Sequence, residues 1–397
     1  MMNETVLTIK KQFVKKYKNG YPLIFKDAIE DTSLLKNEGQ VITLVDTKNN
    51  FLGKGYYGKQ NKGCGWILSN SPKSALDYKL FYDKIKNALV KRDKFYFSKT
   101  TTAFRVFNGE GDGIGGLTID FFSGFYLITW YSKGIYAFKD LILKALKSLV
   151  PFYGIYDKKR FDENGMVVDE NSYVCGRKAP EPLIIKENNV NFAVYLNDGA
   201  MVGIFLDQKE VRNALKNKYS KGKTVLNTFS YTGAFSMAAA KGGAITTSVD
   251  LANRSLDKTI ENFQLNKINY KKHNIIVDDI FSYFKYAQNN NLKFDVVILD
   301  PPSFSTSKNN IFSANKDYKD LVKLAIDVTQ DNGIILASTN CALFDMKKFK
   351  EHIDTAFKES HKFYEILEEH TLPKDFTISK NFPEGDYLKV LFIKIKN

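Results

Sequence analysis

The sequence predicts a doubly wound α/β sheet in its second half, preceded by a small β-rich module and a central α/β domain. Three observations carry this. From about residue 190, apolar runs alternate with amphipathic helical patterns. Residues 5–70 instead hold short strand-like runs separated by Gly, Asn and Lys clusters. The 397 residues also exceed what one hydrophobic core organises, at about 100–200 residues per domain. The expected divisions are residues 1–72, 73–190 and 191–397.

In chain order, the first module is expected to carry strands at Val6 to Ile9, Gln40 to Val45, Phe51 to Tyr57 and Gly65 to Leu68. Leu76, Leu80, Phe81, Ile85 and Leu89 then follow a helical period, predicting a connecting helix. The central part reads as a strand at Phe104 to Asn108, a glycine-rich turn at 109–116, and strands at Leu117 to Phe121 and Phe125 to Tyr131. A helix from Ala137 to Leu149 follows, and Glu187-Asn188-Asn189 marks a hairpin turn. Beyond it, Thr224 to Phe229, Ile245 to Asp250, Asn274 to Val277, Phe294 to Asp300 and Gly333 to Thr339 are rich in Val, Ile and Leu. Such runs suit strands buried on both faces of a parallel sheet. Leu256, Ile260 and Phe263 fall at helical spacing between them, as do Leu321, Ala325 and Val328, and Phe349, Ile353 and Phe357. A ligand site is therefore expected beyond the carboxyl ends of the strands.

Composition narrows the function classes. Hydrophobic residues are 44% and aromatics 14%, enough for several cores. No apolar run reaches the roughly 18 residues of a membrane span, and no secretory leader pattern opens the chain, so a cytoplasmic location is expected. Cys64, Cys175 and Cys341 fit neither a disulfide framework nor a zinc spacing, and no metal site is expected. The net charge of +14 points to a polyanionic partner. It is concentrated early: residues 1–100 hold 19 Lys and Arg against 9 Asp and Glu.

The strand ends carry the chemistry. Thr224 to Phe229 runs into Ser230-Tyr231-Thr232-Gly233 and a small-residue helix, placing a glycine where a backbone must approach a ligand closely. Asp250 closes the next strand 17 residues later, where a carboxylate can accept both ribose hydroxyls of an adenosine cofactor. A helix-capping role is the alternative reading of Asp250. Asp278-Asp279 close the third strand. Asp300-Pro301-Pro302-Ser303-Phe304 close the fourth, and the two prolines hold a rigid extended rim suited to gripping a flat heteroaromatic ring. The polar stretch Ser305 to Asp317 after it, with Lys308 and Lys316, reads as a long loop, either a lid or disordered.

Together these motifs resemble those of class I S-adenosylmethionine-dependent methyltransferases. The whole chain is similar to the PUA-containing family of 23S ribosomal RNA cytosine-5 methyltransferases. The likeness includes Phe104-Arg105-Val106-Phe107-Asn108, Asp112-Gly113, Gly116 to Asp120, and Gly203-Ile204-Phe205-Leu206-Asp207-Gln208. It implies a PUA RNA-binding domain, a central α/β domain and a Rossmann-like methyltransferase domain. It implies S-adenosylmethionine as cofactor, with Asn227 among its contacts, Phe229, Ser230, Tyr231, Thr232 and Gly233 at its methionine part, Asp250 at its ribose and Asp279 at its adenine. Asp207, Gln208 and Asp300 would complete that pocket. Met201-Val202 depart from the family's usual Lys-Thr.

Pro301, Pro302 and Phe304 are the expected base contacts, and Lys10, Lys11, Lys15 and Lys16 the expected phosphate contacts. Phe13 and Tyr17, spaced i, i+4 among those lysines, read either as stacking rings or as the buried stripe of a helix. Cytosine C5 requires a cysteine thiolate to add at C6. Cys341 is the candidate nucleophile, and Asp300 is the second candidate catalytic residue. Ungapped alignment, however, places Asn340 at the family's cysteine position, leaving open a packing role for Cys341. The leading expectation is therefore cytosine-5 methylation of 23S rRNA. The alternatives are methylation of a guanine exocyclic amine (N2), needing no cysteine, and a non-catalytic RNA-binding ribosome-assembly protein. The expected partners are RNA, as 23S rRNA or an assembly intermediate, and a second copy in a homodimer, with no membrane.

Overall fold

The computed structural model describes residues 4–60, 62–161, 172–199, 201–306 and 311–396. They form two compact units. The first comprises Met1–Leu183, Tyr195–Val202 and Lys374–Gly385; the second comprises Ile184–Val194, Gly203–Pro373 and Asp386–Asn397. Among the described residues, no helix is long and apolar enough to cross a membrane.

The first unit begins with a five-stranded sheet built from Thr5–Thr8, Leu23–Ile24, Val41–Val45, Phe51–Tyr57 and Gly65–Ser69. To the strands and turns read for this module the structure adds a helix, Lys11–Lys18, in line with the one of the two readings of Phe13 and Tyr17 that placed them on a buried stripe. Its i, i+4 pair explains it. Phe13 packs against the core and Tyr17 is buried, its hydroxyl accepting the Phe25 N–H at 3.0 Å. Three lysines in its last turn suit the negative end of the helix dipole. A long helix, Tyr78–Tyr96, follows, capped by Asp77 accepting from Leu80 N at 3.0 Å. The second sheet contains Ala103–Asn108, Leu117–Phe122, Phe125–Trp130, Gly154–Lys159 and Tyr173–Gly176. The late segment Lys374–Gly385 is part of this unit. The buried Arg92 donates to the Asp375 carbonyl through Nε and Nη2 at 3.0 and 2.7 Å, and Asn108 donates to the Thr377 carbonyl at 2.9 Å.

The second unit begins at Ile184, within a hairpin of Leu183–Glu187 and Val190–Val194 turned by Asn188 and Asn189 at φ 50° and 64°. Both are residues that tolerate this left-handed backbone, as a two-residue hairpin turn requires. Seven strands then form the main sheet: β1 (Thr224–Thr228), β2 (Ile245–Asp250), β3 (Asn274–Val277), β4 (Phe294–Leu299), β5 (Thr329–Thr339), β6 (Phe363–His370) and β7 (Lys389–Lys396). Their order is β3-β2-β1-β4-β5-β7-β6, with β7 antiparallel to both neighbours. The five strands expected from apolar runs are the five parallel ones. Alternate residues feed opposite faces: Leu226, Val297, Leu299 and Ile335 enter one core, Val225, Val296, Ile298 and Leu336 the other.

The helices α1 (Ala234–Lys241), α2 (Arg254–Leu265), α3 (Ile280–Asn289), α4 (Ala314–Val328) and α5 (Met346–Glu359) connect the strands. The stretch after the Pro-Pro rim differs from the loop expected there. Phe304–Thr306 and Ile311–Ser313 pair as a short antiparallel hairpin, and α4 starts at once, so Lys316 and Asp317 lie in its first turn. Asp317 anchors this start by accepting the Ser313 N–H at 2.8 Å. Lys308 lies outside the described residues.

Candidate active site

The sheet order reverses between β1 and β4, opening the crevice where doubly wound sheets bind ligands. On the β1 side, the chain leaves Thr228 through a tight loop. Phe229 and Tyr231 sit at φ 54° and 51°, unusual for bulky side chains and costing about 1–3 kcal/mol each. Three bonds hold them there: Ser230 N to Val249 O at 3.1 Å, Tyr231 N to Asp250 Oδ2 at 2.7 Å, and Gly233 N to Ser230 O at 2.8 Å. Gly233 caps α1 at φ 72°, and a Cβ there would lie 2.6 Å from Thr259 Cγ2. Only glycine meets both demands.

Polar side chains brace this loop from below. Asn227 Nδ2 donates to Ser236 Oγ at 2.9 Å, and Ser236 pairs with Ser248 at 2.7 Å. Thr232 Oγ1 donates to Gly203 O at 2.7 Å, and Asn262 Nδ2 to Thr232 O at 2.9 Å. Asp250 accepts Tyr231 N on one oxygen and Ala252 N, at 2.9 Å, on the other. Each oxygen keeps a second lone pair. Asp250 does not cap α2, whose N-cap is Asn253, whereas Asp279 caps α3, its Oδ1 accepting Phe281 N and Ser282 N, both at 3.1 Å.

On the β4 side the contacts run between side chains. Buried Gln208 donates through one Nε2 to Asp300 Oδ1 at 3.1 Å and Ser338 Oγ at 2.7 Å, linking the ends of β4 and β5. Burial raises the Asp300 carboxyl to about 6; the Ser338 hydroxyl opposes this, the Asp207 charge adds to it, and Arg212 and Gln208 oppose it. Arg212 is buried against Glu187, donating from Nε and Nη2 at 2.7 Å each, and also donates to Phe205 O at 2.6 Å. Asp207 Oδ2 accepts the Tyr387 hydroxyl at 2.9 Å. Pro301 is buried, Pro302 exposed, and Phe304 63% exposed. Ser303 Oγ donates to Asn340 Oδ1 at 2.7 Å, and both side chains face solvent. Cys341, one residue on, is only 2% exposed and packs in the core cluster containing Leu299, Tyr318 and Phe349.

A model of the S-adenosylmethionine-dependent methyltransferase family matches residues 107–378, and a PUA-like domain model matches residues 7–70. The chain belongs to the S-adenosylmethionine-dependent methyltransferase family. It is 53% identical over 394 residues, 98% of this chain and 100% of the other, to YwbD of Bacillus subtilis, named a candidate ribosomal RNA large subunit methyltransferase. It is 30% identical over 378 residues to ribosomal RNA large subunit methyltransferase I of Aliivibrio fischeri, covering 94% of this chain and 95% of that one. A solved structure of a candidate methyltransferase complexed with SAH matches it with a TM-score of 0.90 at 40% identity. That match covers 99% of this chain and 100% of the other.

S-adenosylmethionine is thus the cofactor of this methyltransferase, and the crevice suits it. Asn227 Oδ1 and Gln208 Oε1 are buried with no hydrogen-bond partner, as acceptors awaiting a donor would be. Asp207, Asp250 and Asp300 give the crevice an acidic character fitting a sulfonium cation. Of the residues sequence reasoning passed over, Ser338 and Arg212 matter most. Ser338 offered a faint signal, a small polar residue closing a buried strand; Arg212 offered none, because its partner Glu187 lies 25 residues away in the chain. In the PUA-like module, Lys11 and Lys15 are exposed, whereas Lys16 lies over the Tyr21 ring at 3.7 Å and Lys10 is the partly covered helix N-cap. With Tyr17 buried, the core-stripe reading of the i, i+4 rings is the one this fold uses.

Proposed function

We propose that this methyltransferase modifies a base of large-subunit ribosomal RNA, 23S rRNA, and that the acceptor is a nitrogen of that base. The RNA part rests on the names of its full-length relatives and on the basic N-terminal module. The acceptor part rests on one observation: the Cys341 thiol is buried in the core, while the neighbouring rim position is an exposed Asn340. A C5 acceptor requires a thiolate at the base, since that carbon is not nucleophilic by itself. A nitrogen carries its own lone pair and requires positioning alone.

The bound cofactor supplies an electrophilic methyl group. The chain's own residues do the rest. The Phe229–Gly233 loop presents backbone without a side chain at Gly233, and Asp250 offers free lone pairs to hydroxyl donors. Asn227 Oδ1 and Gln208 Oε1, buried without a partner, would be acceptors for the cofactor's donor groups. Asp300, held by Gln208, accepts an N–H of the base. With a pKa near 6 its carboxylate can also take up a proton released there. Residues 1–72 act as the RNA grip, through phosphate contacts from Lys11 and Lys15 above all, while 73–190 and 191–397 serve as scaffold and transferase. The compartment is the cytoplasm, where assembling ribosomes are found.

The test is mass mapping of 23S rRNA methylated by the pure enzyme, with a parallel incubation on RNA containing 5-fluorocytosine. An N-methylated nucleoside and no protein–RNA adduct are expected. A 5-methylcytosine product with a trapped adduct lost in Cys341→Ser would overturn the nitrogen reading and restore C5.

A further inference from the structure

The geometry points to Asn340 as the residue that reads the target base, with Ser303 fixing the orientation of its amide. This rests on the proposal that a base is held at the Asp300–Phe304 rim. β4 and β5 are parallel neighbours in register at Leu299 and Ala337. The residues that follow them therefore emerge side by side at the carboxyl edge of the sheet. There Ser303 Oγ donates to Asn340 Oδ1 at 2.7 Å, with both side chains open to solvent.

A bond between two exposed side chains adds little to stability. Its consequence is directional. With Oδ1 engaged, both Nδ2 hydrogens point away from Ser303, so the amide presents donors of defined direction instead of rotating freely. Gln208 meanwhile holds Asp300 as an acceptor at the end of β4. The rim thus offers a donor on one strand end and an acceptor on the next, the pair needed to read a base edge that carries both a carbonyl or ring-nitrogen acceptor and an N–H.

The flanks agree with a flat ligand. Phe304 follows Ser303 directly and is 63% exposed; Leu343 lies three residues after Asn340 and is 64% exposed. Large apolar side chains left open close in the chain to each member of a polar pair suit a heteroaromatic ring that covers them while the pair reads its edge. Ser303 is then a positioning residue, acting through Asn340.

The test uses the full chain, tritiated S-adenosylmethionine and 23S rRNA from a strain lacking the enzyme. Asn340→Ala is expected to lower kcat/KM for RNA about tenfold while leaving cofactor affinity unchanged. Asn340→Asp, of the same shape but without the donors, should lose at least as much. Ser303→Ala should raise KM for RNA by a smaller factor, and Ser303→Thr, which restores the hydroxyl, should return most of it. Activity kept by Asn340→Asp but lost in Asn340→Ala would overturn the donor assignment. A parent enzyme that labels the RNA, with both Asn340 variants at parent kcat/KM, would overturn the inference alone. A parent that labels no 23S rRNA would overturn the reading beneath it as well.

Discussion

Asp250 and Asp300 occupy equivalent places, each at the carboxyl end of a parallel strand, on opposite sides of the point where the strand order reverses. Their surroundings differ in kind. Asp250 is held by main-chain N–H groups of Tyr231 and Ala252, inside a loop whose unusual dihedrals are themselves set by backbone bonds. Asp300 is held by a side chain, Gln208, which Ser338 shares, and its carboxyl is raised to about 6. Main-chain N–H groups frame the Asp250 half-site, with Asn227, Thr232 and Asn262 bracing its loop from below. Side-chain bonds leave the other half open to change by single substitutions. On the proposed roles, the Asp250 side would hold the cofactor and the Asp300 side the acceptor base, so single side-chain substitutions should act mainly on the second.

The largest expected effect falls on what the two halves share. Arg212 is buried with Glu187 and also contributes to the field at Asp300. Arg212→Ala leaves a buried carboxylate without its partner, which should cost about 3–5 kcal/mol in chemical denaturation. The double variant Arg212→Met with Glu187→Leu should recover most of that loss. If the single variant unfolds at the parent's denaturant concentration, this ion pair is not a foundation for either half.

The next effect should be confined to one half. Asp250→Ala removes charge-assisted acceptors worth about 1.5–3 kcal/mol, so S-adenosylmethionine affinity measured by calorimetry should fall at least about tenfold. RNA affinity should not move. Undiminished cofactor binding by the folded variant would remove Asp250 from the site and weaken the contrast.

That contrast also explains what was legible in the sequence. The five parallel strands, the Gly233 turn and the Asp250 position were readable, because apolar runs and a required positive φ leave local marks. The strands β6 and β7 were not anticipated. Phe363–His370 carries Glu365, Glu368 and Glu369 and alternates in exposure, as an edge strand does, so it lacks a continuous apolar run. The acceptor half was legible only in part. Asp300-Pro301-Pro302 announced a rim, but whether Asn340 or Cys341 faces it depends on how the strand end turns, and no local pattern encodes a one-residue choice. Arg212 with Glu187, and Gln208 with Ser338, are pairings of distant residues that only the fold reveals.

A smaller, pH-dependent effect should separate the two carboxylates. Asp300 has a folded pKa above its ordinary 3.8, so its contribution to stability is fully present below about 3.8 and is lost as pH rises through about 6. Asp300→Asn should therefore gain stability relative to the parent above pH 6. Binding runs the other way: the ionised carboxylate favours a cation, so the ratio of S-adenosylmethionine to S-adenosylhomocysteine affinity should rise several-fold between about pH 5 and 7.5. In Asp300→Asn that ratio should stay flat. A parent ratio independent of pH would mean that the Asp300 charge does not act on the bound sulfonium.

The smallest effect tests whether affinity for RNA is separate from both halves. Lys11 and Lys15 are exposed on one helix of the PUA-like module, four residues apart and therefore on one face. Each phosphate contact releases condensed counterions, so losing one should reduce the slope of log affinity against log salt by about 0.7–0.9. Lys11→Ala and Lys15→Ala should each weaken RNA binding only about two- to threefold near physiological salt, and the double variant should lower the slope by about twice the single step. Lys16→Ala should change the slope less, because that ammonium already lies over the Tyr21 and Phe25 rings at 3.7 and 4.5 Å. None of the three should alter which nucleoside is methylated, since phosphate contacts position without reading sequence. If Lys11→Ala or Lys15→Ala shifts methylation to another base, the module takes part in choosing the target, and the choice cannot be assigned to the β4–β5 rim alone. If the double variant binds with the parent's slope, these lysines lie off the RNA path, and the grip must be sought elsewhere on the basic surface.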